Sequence, residues 1–234
     1  MPIFGNPLFR SQEFFGKVRL FPLPNLVMFP HVMQPLHVFE QRYRYLLEDA
    51  LAGDRLVAMA ALAPGWENNY EGRPSLYPMA CLGRIAAYCR LQDGTYNVLL
   101  LGLQRVRLRR ELTPGRRFRE AEAQWCKDIC STCSAARHRA LRDELGKALL
   151  RILPILPEAQ LQLDQLLETD VPLGVLTDVI SYMIDLDVSS KQLLLGEVDV
   201  RRRAELLLRH LSEAAADLAA RATSACFPPE FSTN

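Results

Sequence analysis

Cys126, Cys130, Cys133 and His138 read C-x3-C-x2-C-x4-H. Thiolates and an imidazole are the ligands that a tetrahedral zinc site uses. Structural zinc sites usually draw two ligand pairs from separate turns, whereas this stretch is one cluster running into a helical pattern. The expectation is therefore free thiols, with no metal and no cofactor. A second set is basic: Arg105, Arg107, Arg109, Arg110, Arg116, Arg117 and Arg119. An arginine face from Arg105 to Arg119 on a small barrel could hold an RNA backbone. Glu111, Glu120 and Glu122 interrupt it, and no stacking aromatics alternate with the arginines. A nucleic-acid-binding barrel is thus the alternative, and a solvated sheet face the simpler reading. His31 and His37 are isolated, and a lone histidine on a strand is more often structural than catalytic. No serine sits in a nucleophile elbow, and no G-x4-G-K-[ST] stretch offers a phosphate cradle. Contact chemistry remains. Trp66, Tyr70 and Tyr77 lie in a glycine- and proline-rich stretch and are the candidate substrate-binding residues.

The elements that position these residues follow from periodicity and punctuation. Residues 17–23 alternate into an apolar run that Pro24-Asn25 turns. Leu26–Phe29 and Pro35–Phe39 read as two further short strands, each bounded by proline, which suits edges and bulges. From Glu40 the period becomes helical, with Tyr43, Leu46, Leu47, Ala50 and Leu51 on one face and Gly53 at the C-terminal cap. Arg55–Leu62 has the composition of a buried strand, although its alanines would also suit a helix. Ala63–Pro78 has no periodicity and reads as a long surface loop, the kind that often carries function. Met79–Leu91 and Thr95–Leu103 form a hairpin around Asp93-Gly94, and Gly102 marks a bulge. Val106 and Leu108 alternate with Arg105, Arg107 and Arg109 in a half-exposed strand. Arg117–Trp125 is the last strand.

Helices alone follow. Residues 134–153 place Leu141, Leu145, Leu149 and Ile152 on one face before Pro154 stops the helix. A second begins at Pro157. A third begins near Pro172, with Leu173, Leu176, Val179, Ile180 and Met183 inward. Ser189 or Ser190 caps a fourth, and Asp199 caps the last, which runs to about Arg221. Arg201–Arg203 read as surface. Strands followed by helices give an α+β chain with segregated layers.

The chain has 234 residues, 49% hydrophobic and 24% charged, with net charge +1. These are ordinary values for a globular protein. Near-neutrality removes a bulk electrostatic drive toward nucleic acid or membrane. No apolar run is long enough to span a bilayer, and no secretory signal precedes the first strand. Six cysteines without an export signal are expected to be reduced thiols, which places the protein in the cytoplasm.

FPLPNLVMFP followed by PLHVFEQRYRYLLEDAL resembles the opening of the N-terminal substrate-binding domain of Lon-type ATP-dependent proteases, which also occurs in stand-alone bacterial proteins. The hairpin running into Leu101–Arg105 and the stretch from Lys191 to Leu211 are similar to the same domain. The resemblance implies a PUA-like β pseudo-barrel with one inserted helix over residues 14–126, and an α-helical bundle over 132–222. A Lon protease adds an ATPase module and a Ser/Lys catalytic module after this domain. The resemblance here extends to neither, so it implies binding without catalysis. The implied partners are unfolded or partner polypeptides, within a protease system, with no membrane partner.

Overall fold

The computed structural model describes residues 16–113, 115–130, 135–152 and 171–224. Six strands come first: β1 (Lys17–Leu23), β2 (Met33–Val38), β3 (Leu56–Leu62), β4 (Leu76–Arg90), β5 (Tyr96–Glu111) and β6 (Arg119–Cys126). Helix α1 (Gln41–Ala52) lies between β2 and β3. Then come α2 (Ala135–Ile152), α3 (Leu173–Met183), α4 (Val188–Gly196) and α5 (Val200–Ser224). The chain is α+β. The helix expected from Pro157 lies outside the described residues.

The strand order is β2-β5-β4-β3-β1-β6, and β6 pairs again with β5. Five strands therefore close a ring, and β2 branches from it. The branch exists because β5 is 16 residues long. Its first part, from Tyr96 to Leu101, pairs with β2, and its second, from Arg105 to Glu111, pairs with β6. Pro22 lies beyond the last β1–β6 pair at Leu20, on the stretch of β1 that pairs with β3 alone. A residue without an N–H is tolerated there.

Alternation along the ring strands sorts side chains into two cores. Val18, Leu20, Leu56, Ala58, Ala60, Ala80, Leu82, Leu103, Val106, Ala121 and Ala123 fill the lumen. The alanines of β3 belong to a strand because a small barrel has room for little more than a methyl at the crowded positions. Outside the wall, Val57, Met59, Cys81, Ile85, Val98 and Leu100 meet the helices. Helix α1 buries Tyr43, Leu46, Leu47 and Ala50 against this wall. The Tyr43 ring stacks on Phe21 at 4.1 Å, and its hydroxyl donates to Pro22 O at 2.6 Å. Among the C-terminal helices, Leu141, Leu145 and Leu149 of α2 share the core with Ala204, Leu207 and Leu211 of α5.

Several expectations change. Leu26–Phe29 forms no strand, although Val27, Met28 and Phe29 are buried and Leu26 half-buried. It is a plug held at Gly102, where a Cβ would collide with the carbonyl oxygen of Phe29. His31 leaves the plug in a left-handed turn at φ 67°, and its N–H donates to Gly102 O at 2.9 Å. Met183 is exposed rather than inward. The N-cap of α4 is Asp187, not a serine: its carboxylate accepts from Ser190 N.

The largest change concerns Arg105. Its alternation with Val106 and Leu108 predicts a basic outer face, yet it is 1% exposed. The ladder shifts register between Leu82 and Gly83, where Gln104 and Gly102 are the partners and Leu103 is the extra residue. One extra residue reverses which side chains face which way. Arg105 therefore faces the helices, beside Cys81. Its Nη1 donates to Asp178 Oδ2 at 3.0 Å, its Nη2 to Asp178 Oδ1, and its Nε to Leu195 O at 3.0 Å. Arg203 is fully buried too, against the surface reading. It donates to Asp128, to Thr177 Oγ1 at 3.1 Å and to Glu197 O at 2.8 Å. Asp128 also lies 3.3 Å from Arg105 Nη1. Two arginines and two aspartates thus join the barrel wall to the helices.

Leu47 is 1% exposed, so Leu47→Ala should cost about 2–5 kcal/mol in denaturant unfolding. A wild-type melting curve would contradict this packing. The charge network adds an acid dependence. Burial alone would raise the Asp128 carboxyl, but the hydrogen bond from Arg203 and the charges of Arg105 and Arg203 hold it below the usual carboxylate range. A carboxyl depressed in the fold contributes stability that is complete above its unfolded value of about 4 and is lost as pH falls through the folded value. Asp128→Asn should therefore lower stability at pH 7 and flatten its fall below about pH 4. Acid titrations of the two proteins with the same slope would show that Asp128 does not carry this dependence.

Candidate functional site

β2 sits at the end of the sheet order, so its outer edge meets no strand among the described residues. Its side chains alternate. Gln34 and Val38 are buried, while Met33, Pro35 and His37 point outward and exposed. Phe39 follows at 64% exposure. Beside this row, Ala87 and Cys89 of β4 and Asn97 and Leu99 of β5 complete an apolar groove of about 480 Å3 with Pro35, Leu36, His37, Tyr88 and Val98. Tyr88 is 50% exposed and Met33 46%. His37 Nδ1 and Asn97 Oδ1 are hydrogen-bonded at 2.8 Å across the pairing. From the inner face, Gln34 Nε2 donates to Pro35 O at 2.8 Å, and the Tyr182 hydroxyl of α3 donates to Gln34 Oε1 at 2.9 Å. The edge strand is thereby tied to the helical half.

The row ends at Glu40, the residue after Phe39, and Glu40 anchors the long loop. The Tyr70 hydroxyl donates to Glu40 Oε1 at 2.8 Å. Arg42 Nε donates to Glu40 Oε2 at 2.8 Å, and Arg42 Nη1 donates to Tyr70 O at 3.2 Å. The Arg42 guanidinium lies 4.8 Å from the Tyr70 ring centre, within cation–π range. Partial burial and the bond to Glu40 raise the Tyr70 phenol above its ordinary value, so it remains a neutral donor. Trp66 opens a 3-10 turn, Trp66–Asn69, and meets Tyr70 edge-on at 5.7 Å. Both rings are half-buried. Tyr77 is not in the loop: it lies on β4 and packs against the core. The structure brings Trp66 and Tyr70 together beside the β2 row. Pro35 marks β2 as suited to an edge, but which strand lies at the edge, and which of its side chains form the exposed row, is set by strand order rather than by local sequence.

The other candidate sets are dispersed. Arg107, Arg109 and Arg110 are exposed, but Arg109 bonds Gln124 and Arg110 pairs with Glu122 at 2.6 Å. Arg119 pairs with Glu111 at 2.7 Å, and Arg105 is buried. Of the cysteine cluster, Cys133 lies outside the described residues. Cys126 is half-buried with its thiol toward Gln124 O, and Cys130 is exposed. Among the described residues no three His, Cys, Asp or Glu side chains are grouped to hold a metal. No described helix is long and apolar enough to cross a membrane.

A family model for the substrate-binding domain of ATP-dependent protease La (LON) matches residues 17–213. The chain belongs to this family. Lon protease 2 of Myxococcus xanthus is 28% identical over 193 residues, which is 82% of this chain and 23% of that protein. Lon protease of Anaeromyxobacter dehalogenans is 25% identical over 212 residues, 90% of this chain and 25% of that protein. The chain spans about a quarter of the length of these relatives. Two solved structures share the fold. A Lon N-terminal domain protein from Xanthomonas campestris has a TM-score of 0.60 at 23% identity, covering 82% of this chain and 97% of that one. The N-terminal domain of a Mycobacterium avium complex Lon protease has a TM-score of 0.64 at 17% identity, covering 86% and 98%. The Lon substrate-binding fold is thus the scaffold on which the β2 row and the Trp66–Tyr70 loop stand.

The anchor at Glu40 makes a direct prediction for this Lon-type domain. Tyr70→Phe removes a hydrogen bond to a charged acceptor, an interaction worth about 1.5–3 kcal/mol when buried and less at this half-exposed position. The loop should open more often, so a glutamate-specific endoprotease should cleave faster after Glu71 while the global melting temperature changes little. Unchanged cleavage kinetics would remove Glu40 as the anchor.

Proposed function

We propose that this chain is a non-catalytic polypeptide-recognition module, which receives an extended segment of an unfolded or partner protein along the free edge of β2. The observation that carries this reading is the edge of β2, unpaired among the described residues and flanked by the exposed row Met33, Pro35, His37 and Phe39 and by the groove with Tyr88 and Leu99. Main-chain groups on a free edge supply affinity for any extended peptide, and a neighbouring apolar groove accepts alternate side chains. The family supports the same assignment, since its model describes a substrate-binding domain. Trp66 and Tyr70 extend the contact beyond Phe39. Tyr77, on β4, contributes packing instead. In this reading residues 14–126 present the client-binding surface and residues 132–222 support it, acting with a protease system in the bacterial cytoplasm.

Strand addition has a signature of its own. A neutral, unlabelled unfolded peptide should bind, and N-methylation of every residue should abolish binding, because each edge of an extended peptide pairs through the N–H groups of every second residue. Phe39→Asp should weaken capture by about 1–2 kcal/mol without lowering the melting temperature, since Phe39 is exposed. Full binding of the N-methylated peptide would exclude edge pairing. Trp66→Ala should leave the melting temperature nearly unchanged and weaken capture by about 1–3 kcal/mol. A loss of stability with no loss of binding would make Trp66 a packing residue of its own loop.

A further inference from the structure

Behind the Trp66–Tyr70 loop lies a second concavity of about 290 Å3. Arg42, Arg73, Arg116, Arg117 and Arg119 line it, and Glu71 is the one carboxylate in its lining. Pro22, Tyr43 and Phe118 form an apolar floor. The walls come from three places in the chain: the end of the loop, the first turn of α1, and the approach to β6.

Most of these guanidinium groups are held from outside the lining. Arg73 Nε lies 3.1 Å from Glu111 Oε1, and its Nη2 contacts Glu111 and Leu112 O. Arg119 gives Nε to Glu111 Oε1 at 2.7 Å and Nη2 to Glu111 Oε2 and Pro74 O. Arg116 gives Nη1 to Asp49, and its Nε lies 3.7 Å from Glu120. That leaves Nη1 of Arg73, Nη2 of Arg116 and Nη1 of Arg119 with no protein acceptor among the described residues. Arg117 has no carboxylate partner among the described residues, and its guanidinium rests 4.4 Å over the Tyr45 ring. Planar guanidinium groups fixed by one edge keep the other donors oriented, which is the geometry that carboxylates take up. The apolar floor keeps one side of the site away from water and strengthens such bonds.

We propose that this pocket binds carboxylate groups of acidic polypeptide segments, adding a charge preference to the recognition surface. The inference rests on the polypeptide-recognition reading above, because the loop that carries Trp66 and Tyr70 continues directly into Glu71–Arg73. The occupant is an acidic segment because the donors left over from the pairs with Glu40, Asp49, Glu111 and Glu120 are all guanidinium N–H groups, and Arg117 has no carboxylate partner among the described residues. Size agrees, since the volume admits a carboxylate side chain together with part of its neighbour.

The test compares three C-terminally amidated, unlabelled peptides, titrated calorimetrically into the full chain. One is neutral, one carries interspersed Asp and Glu, and one has those residues replaced by Asn and Gln. A neutral peptide with a free C-terminus distinguishes a terminal carboxylate from side-chain carboxylates, and inorganic pyrophosphate serves as a competitor. The acidic amidated peptide should bind about tenfold more tightly than its Asn/Gln counterpart at low salt, the order of one hydrogen bond to a charged group. The preference should shrink as salt is raised. Arg117→Gln, at an exposed position, should reduce it to about two- to threefold with an unchanged melting temperature, and Arg116→Gln with Arg117→Gln should remove it. Equal binding of acidic and Asn/Gln peptides would overturn the proposal while leaving polypeptide recognition intact. So would a preference that survives the double variant, or a site that takes pyrophosphate but shows no acidic preference. Failure of every peptide to bind would overturn the recognition reading and this proposal together.

Discussion

Everything in this fold depends on how two buried guanidinium groups are satisfied. Arg105 reaches out of the barrel wall and Arg203 out of α5, and both meet Asp178 and Asp128 in the seam between strands and helices. Removing one member of such a set leaves an unpaired buried charge, at about 3–5 kcal/mol. The set as a whole adds little net stability over a well-packed apolar seam. Its larger effect is orientation. The carbonyls of Leu195 and Glu197 join the aspartates in fixing both forks. A small slide of the helices along the wall would break several charged hydrogen bonds at once. The apolar contacts around the seam would tolerate such a slide; the charges do not.

The same strand that supplies Arg105 also carries the strand at the open edge of the sheet. β5 is too long for one ladder, so one part closes the barrel and the other carries β2 outward. The bulge at Leu103 separates these two tasks. Before it, alternation serves β2 and the groove. After it, alternation serves the lumen and the arginine seam. Gln34 and Tyr182 then couple the branch back to the helices, so the branch is buttressed from both sides.

Much of this was legible in the sequence. Helix α1 announced itself by period and by Gly53, and Leu47 is buried as its position on the stripe requires. Asp93-Gly94 marked the hairpin, with Gly94 at φ 80°. Gly102 marked the bulge. What could not be read was what covers the outer face: Arg105 alternates with Val106 and Leu108 just as exposed Arg107 does, and only the helices packed over that part of the wall bury it. The partners that bury it are 73 and 23 residues away, beyond any local pattern. Leu26–Phe29 misled for a related reason. A short apolar run is a strand or a plug depending on what lies across from it, here the bare backbone of Gly102. At the site, composition found the Trp66–Tyr70 loop and Pro35 pointed to an edge, while strand order fixed which edge is free among the described residues.

The alanine-lined lumen limits how the family can drift. At positions 58, 60, 80, 121 and 123 the side chains are methyl groups enclosed by five strands. Adding methylenes in so tight a space displaces backbone, and overpacking typically costs about 1–3 kcal/mol. Larger neighbours such as Leu20, Leu56 and Leu82 can shrink only if another grows. Substitution inside the barrel is therefore compensatory, with volume conserved across strands rather than letter by letter. Outside, the exposed side chains of the edge row, Met33, Pro35, His37 and Phe39, carry no such constraint. What this barrel must hold constant is the sum of its interior volumes rather than any single side chain.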